Sequence, residues 1–240
     1  WTLAEGRAVF ELGWFMTLRP LMRRLPSGDG HPVIVLPGFL ASDGSTRPLR
    51  GLLKDLGYAS HAWGMGRNMH FNNDRELELL NLLDRVHDEY EDKVSLIGWS
   101  LGGLYARRLA RSHPELIRQV ITLGSPIRLS RFQQSNSHRL YHLLTRLHAE
   151  HYPLPLEQGE GPLPVPATFF YSRRDGMVSW QICLDDHGGP QAENIEVRAA
   201  HFGFGQRTVR VGRAGIGPER CAVVGAGEGG ETVCPFALLK

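Results

Sequence analysis

The chain has 240 residues, 42% apolar and 22% charged, with a formal charge of +2. These are ordinary globular values, long enough for one sizeable core, and they argue against disorder; no run nears the roughly 18 uninterrupted apolar residues of a membrane-spanning helix. Near-neutral charge, with arginines spread along helical patterns, gives no footprint for nucleic acid, and Cys183, Cys221 and Cys234 lack the spacing of a metal site or disulfide framework.

Residues 3–25 carry apolar side chains at helical spacing, interrupted by Pro20 and accompanied by Arg19, Arg23 and Arg24. The segment reads as an amphipathic helix packed on the domain, with peripheral contact to lipid as the sharper alternative. Glu5, Arg7 and Glu11 break the layout of a secretory signal, so a soluble, cytoplasmic or peripherally membrane-associated protein is expected. Because the chain begins at Trp1, a removed leader stays open, and with it a Cys221–Cys234 bridge in an oxidising compartment. A turn cluster, Pro26 to Gly30, ends the element.

Strands and helices then alternate. The pattern predicts strands at Pro32–Leu36, Tyr58–Trp63, Val94–Gly98, Val120–Leu123, Ala167–Ser172 and Ile195–Arg198. It predicts helices over Arg47–Asp55, Asp74–Glu89 and Leu101–Ser112, hence a mostly parallel sheet flanked by helices with its chemistry at the carboxyl ends of the strands. Residues 127–166 interrupt the series. Their centre sets Leu140, Leu143, Leu144 and Leu147 on one narrow stripe and closes in proline-rich turns, the pattern of an inserted helical cap.

Ser100 stands in Gly98-Trp99-Ser100-Leu101-Gly102, where a strand must turn sharply into a helix. This is the G-x-S-x-G nucleophile elbow: small residues at both glycine positions let the backbone pass a strained turn and expose the hydroxyl. Set in order with Val35-Leu36-Pro37-Gly38-Phe39, Tyr171-Ser172-Arg173-Arg174-Asp175-Gly176-Met177-Val178 and Ala200-His201-Phe202-Gly203, it resembles the α/β-hydrolase superfamily, and within it the lipase and esterase-like members. The resemblance spans roughly Gly30 to Gly205 and implies an α/β-hydrolase core over 30–126 and 167–205, flanked by an N-terminal segment (1–29), the cap (127–166) and a tail (206–240).

A serine hydroxyl needs a base to take its proton, and His201, in a glycine-rich loop after a strand, is the candidate among eleven histidines. Asp175, also just beyond a strand, would orient it, with Asp185 and Asp186 as competitors. The resemblance implies an oxyanion hole from the backbone amides of Phe39 and Leu101, with Leu40 as substitute for Phe39 because Pro37-Gly38 stands where many relatives have His-Gly. Leu40, the cap leucines, Met177 and Val178 are the expected substrate contacts, with Trp180 beside them. The expected activity is cleavage of carboxylic, lipid-like esters through an acyl-enzyme, with no metal or cofactor; acyl transfer to an alcohol or lipid acceptor, or a non-catalytic binding module, are the alternatives.

Other signals carry less. Gly225 to Gly230 matches a dinucleotide fingerprint by letter, but too little chain follows to complete the motif. His142, His148 and His151 lack the His-Glu-x-x-His pattern and read as solvated, as do Arg107, Arg108 and Arg111 on the elbow helix. Gln206 to Cys234 has no Leu, Met or aromatic residue and seven glycines, so no packed helix is expected after the histidine loop, and a poorly ordered tail is.

Overall fold

The computed structural model describes residues 17, 27–69, 73–128, 161–187, 191–206, 209–211 and 231–233. Within them β1 (Pro32–Leu36), β2 (Ala59–Ala62), β3 (Val94–Trp99), β4 (Ile117–Leu123), β5 (Ala167–Tyr171) and β6 (Ala192–Glu196) form one sheet in the order β2-β1-β3-β4-β5-β6. Every pairing is parallel. Among the described residues the α-helices α1 (Asp43–Asp55), α2 (Asn73–Tyr90) and α3 (Leu101–Ser112) accompany it. Most of the N-terminal segment, most of the cap with its four leucines and its histidines, Cys221 and Cys234 lie outside the described residues.

Alternation along the strands builds a core on each face, because successive side chains point to opposite sides. Val33, Val35, Ile97, Trp99, Ile121, Leu123, Phe170 and Ile195 pack with Leu49, Leu52 and Leu53 of α1 on one face. Ile34, Leu36, Leu96, Val120 and Phe169 pack with Leu82, Leu83 and Val86 of α2 and Leu104, Tyr105 and Leu109 of α3 on the other. Each fully buried aliphatic side chain contributes about 1.5–3 kcal/mol, so this two-sided burial dominates the stability of the sheet. Strand order reverses between β1 and β3, which opens a crevice at their carboxyl ends.

Some boundaries differ from the sequence expectation for physical reasons. Helix α1 begins at Asp43 rather than Arg47, although Pro48 lies inside it and lacks an N–H to donate. Side chains tie down that first stretch: Ser45 Oγ donates to Ser42 O (2.7 Å), Thr46 Oγ1 to Asp43 O (3.2 Å), and Arg50 to the same carbonyl (2.9 Å). Strand β6 covers Ala192–Glu196, earlier than the expected Ile195–Arg198. As an edge strand it needs few apolar side chains, and Ile195 is its buried one. In the tail, β7 (Val209–Val211) and β8 (Glu231–Val233) pair antiparallel.

Candidate active site

Ser100 follows β3 directly and precedes α3, with φ 51° and ψ −115°. A side-chain-bearing residue rarely holds such a backbone, and strain of about 1–3 kcal/mol persists only where the surroundings impose it. They do. A Cβ on Gly98 would lie 2.4 Å from Gly102 O and Gly103 Cα, and one on Gly102 would lie 2.4 Å from Leu36 O and 2.8 Å from Pro37 O. The helix therefore sits directly against the ends of β3 and β1, which no other residue type at 98 and 102 permits without displacement. Ser100 N–H donates to Leu123 O (2.9 Å), fixing the turn to the end of β4.

Asp175 and His201 meet beside this turn. His201 Nδ1 lies 2.7 Å from Asp175 Oδ2. The other carboxylate oxygen, Oδ1, accepts the backbone N–H groups of Met177 and Val178, both at 2.8 Å. Its acceptor-only arrangement requires the His201 proton on Nδ1 and leaves Nε2 the acceptor nitrogen of the neutral ring. Both side chains are nearly inaccessible, 1% exposed for Asp175 and 4% for His201. Asp175 packs against the end of β4, the strand next to the serine strand: a Cβ on Gly124 would fall 3.2 Å from Asp175 Oδ2.

Three supporting contacts were not legible as motifs. Trp99 Nε1, one residue before the serine, donates to His201 O (3.0 Å). Ser172 Oγ donates to Ala199 O (2.7 Å) and accepts from the amides of Ala199 (3.2 Å) and Arg174 (3.1 Å), stitching the Asp175 loop to the His201 loop. Asn68, fully buried, donates from Nδ2 to Pro37 O (2.7 Å). Sequence offers little signal for these beyond a polar residue in a glycine-rich segment after a strand end.

The loop after β1 approaches the serine, since a Cβ on Gly38 would lie 3.3 Å from Ser100 Cβ. Leu40 has φ 60°, and its N–H is committed to Asn68 O at 2.7 Å. The Leu101 N–H is the first of α3, where the helix supplies no partner of its own. Phe39 packs between the α2–α3 core and a small cluster of Val178, Ile182 and Cys183, against which Met177 and Tyr171 also lie. Val178 is buried in that cluster, Met177 partly so, and Leu40 is exposed. Burial pushes the Cys183 thiol up, and the nearby Asp175 charge adds to it.

The rival acids are engaged elsewhere. Asp185 is buried 3.8 Å from Arg107 Nη1, and Asp186 pairs with Arg128. Arg107 thus departs from the solvated face expected of it: it is 1% exposed, its guanidinium 4.9 Å from the Phe169 ring centroid, because α3 packs this flank on the sheet. Arg108 forms a two-pronged pair with Glu76 (2.6 and 2.8 Å), and Arg111 donates to Gly161 O (2.7 Å) and Pro162 O (3.3 Å). Charge alone did not reveal these partners.

A second Ser-His-Asp set shows why residue types are insufficient. At the opposite end of the sheet His31 Nδ1 contacts Asp29 Oδ1, and Nε2 lies 2.8 Å from Ser95 Oγ. Ser95 is 0% exposed within β3 and has no strained turn to present it, so no substrate carbonyl can approach. That set ties strand ends. Among the described residues no group of three or more His, Cys, Asp or Glu side chains is placed to hold a metal ion, and no helix is long and apolar enough to cross a membrane.

A parallel sheet with this strand order, a strained serine turn at its switch point and an acid and histidine beyond later strands is the α/β-hydrolase fold. The chain belongs to the PGAP1-like alpha/beta domain family, whose model matches residues 27–159. Its fold is similar to that of a monoacylglycerol lipase from Paleococcus ferrophilus, at 16% identity and a TM-score of 0.51, covering 74% of this chain and 88% of that one. A pyrethroid hydrolase from Sphingobium faniae gives 16% identity and a TM-score of 0.51 over 73% of this chain and 92% of that one. The BpoC protein of Mycobacterium tuberculosis gives 16% and 0.56, over 75% and 88%.

Proposed function

We propose that the chain is a serine hydrolase that cleaves carboxylic esters, with Ser100 as nucleophile, His201 as general base and acid, and Asp175 orienting the imidazole. The observation that carries the reading is the His201 Nδ1 to Asp175 Oδ2 contact of 2.7 Å beside a serine held at φ 51°. With Nδ1–H donating a hydrogen bond to Asp175, His201 would take the Ser100 proton at Nε2 as the hydroxyl oxygen attacks the ester carbon. The amides of Leu101 and Phe39 would stabilise the oxyanion, each donor contributing about 2.7–4 kcal/mol to the rate. The imidazolium then protonates the leaving alcohol. Water, deprotonated by the same nitrogen, releases the acid and restores the serine.

Names among the structures of similar fold, a monoacylglycerol lipase and a pyrethroid hydrolase, support an ester as the bond cleaved. An apolar acyl group would lie against Phe39, Leu40 and Met177. A fluorophosphonate probe and p-nitrophenyl esters test the reading: the wild type should label and turn over, and Ser100→Ala should do neither while keeping its fold. A folded Ser100→Ala protein with near-native esterase activity would overturn it. Product analysis with added alcohol separates hydrolysis from acyl transfer, and an unlabelled, inactive wild type would leave a binding module.

A further inference from the structure

We infer that Asn68, braced by Tyr105, is a positioning residue that holds the two halves of the oxyanion hole in register; this rests on the ester-hydrolase reading. Asn68 grips the loop after β1 at both ends. Its Nδ2 donates to Pro37 O (2.7 Å), its backbone carbonyl accepts Leu40 N–H (2.7 Å), and its N–H donates to Ala41 O (2.8 Å). Between these points lies Phe39, whose amide is one proposed oxyanion donor, and the loop closes on itself through Ala41 N–H to Gly38 O (3.1 Å).

The fourth bond reaches the other half. Tyr105 Oη donates to Asn68 Oδ1 at 2.9 Å, and Tyr105 stands one turn along α3 from Leu101, the second proposed donor. The orientation of the side-chain amide is settled by chemistry: a carbonyl only accepts, so Nδ2 faces Pro37 and Oδ1 faces the tyrosine. Both residues are buried, and burial drives the Tyr105 hydroxyl well above its ordinary range, keeping it a donor. One amide side chain therefore bridges the Phe39 loop and the Leu101 helix, where a shift of about 1 Å can cost on the order of 10²-fold in rate.

The test uses the full chain, p-nitrophenyl acetate and phenylboronic acid, whose serine adduct places an oxygen where the oxyanion forms. Tyr105→Phe, which removes one oxygen and keeps the ring, should lower kcat roughly 10-fold, and Asn68→Ala about 10²-fold. KM should stay within about twofold, boronate affinity should fall in step with kcat/KM, and the acid limb of the pH profile should not move, because His201 and Asp175 are untouched. A purely structural role would lower the melting temperature without this split. Folded variants with wild-type kcat, or with the loss confined to KM, would overturn the positioning role while the hydrolase reading stands. If Asn68→Ala does not fold, Tyr105→Phe decides. A wild type that neither labels with fluorophosphonate nor turns over overturns the hydrolase reading and this inference with it.

Discussion

Replacing Gly102 by alanine tests whether close packing of α3 on the strand ends sets catalytic geometry. The added Cβ would sit 2.4 Å from Leu36 O, and reaching even 3.0 Å requires the helix start and the strand end to separate by about 0.6 Å. Both neighbours are backbone, with no flexible side chain to swing aside. Overpacking of this kind costs about 1–3 kcal/mol, and in a chain of this size each kcal/mol lowers Tm by about 2–4 °C. The same displacement carries the Leu101 amide away from the loop of Phe39, so kcat should fall by on the order of 10²-fold at temperatures where the variant is fully folded. Gly44→Ala is the control, because its Cβ would meet no atom closer than Ser42 Oγ at 3.7 Å inside α1. That change should raise stability by about 0.4–1 kcal/mol and leave kcat unchanged. Thermal unfolding and p-nitrophenyl ester kinetics on both variants settle the matter. If Gly102→Ala unfolds and turns over like the wild type, the helix is not packed as argued.

Asp175→Asn should reduce kcat by about 10⁴-fold with little change in fold: the new Oδ1 can still accept the Met177 and Val178 amides, but its NH₂ then faces His201 Nδ1 and forces the wrong tautomer. Retained activity would remove Asp175 from the machinery. Asp185→Ala should instead lower stability, by removing a buried carboxylate from beside the buried Arg107, without a comparable loss of kcat in the folded protein, and the reverse pattern would exchange the roles of the two acids. Burial holds His31 and His61 below the ordinary histidine range, against the pull of Asp29 on the first. The unfolded chain therefore takes up protons first, and Tm should fall as pH drops below about 6.5, less steeply in His31→Gln; a rise in Tm over that window contradicts the burial argument. Asp29, held at about 2 by His31 and Arg118 despite burial acting in the opposite sense, should add a further loss only between about pH 4 and 2. Leu144→Asp should weaken turnover of medium and long acyl esters far more than acetate, since each buried methylene contributes about 0.8 kcal/mol; an equal loss at every chain length would make the stripe structural.

What could be read from the sequence is what periodicity and backbone constraint dictate. β1, β3, β4 and β5 are buried apolar runs, and the pair Gly98 and Gly102 around Ser100 announces a close approach of helix to strand. The pairing of Asp175 with His201 was legible because both follow strands whose ends the fold brings to one side of the sheet. Partner-dependent features were hidden. Ala192–Glu196 pairs through its backbone on the sheet edge, and its polar letters resemble a loop. Arg107 looked solvated because a charged side chain at helical spacing says nothing of Phe169 and Asp185, which approach it from distant chain segments. Asn68 depends on Pro37, Leu40, Ala41 and Tyr105 together, a set of contacts with no local pattern.

The distance along the chain between Trp99 and His201, joined by the indole hydrogen bond, bears on how the protein is made. The family match over residues 27–159 contains Ser100 but ends before Asp175 and His201. A ribosome adding about 5–20 residues per second needs on the order of 5–20 s to go from the serine turn to the end of the histidine loop. During that interval β1, β3 and β4 can already pair around Ser100, while neither Asp175 nor His201 is yet in place. On the proposed hydrolase reading the chain is built with its nucleophile silent, and reactivity would arrive in a single late event, when the last parallel strand and the loop beyond it dock.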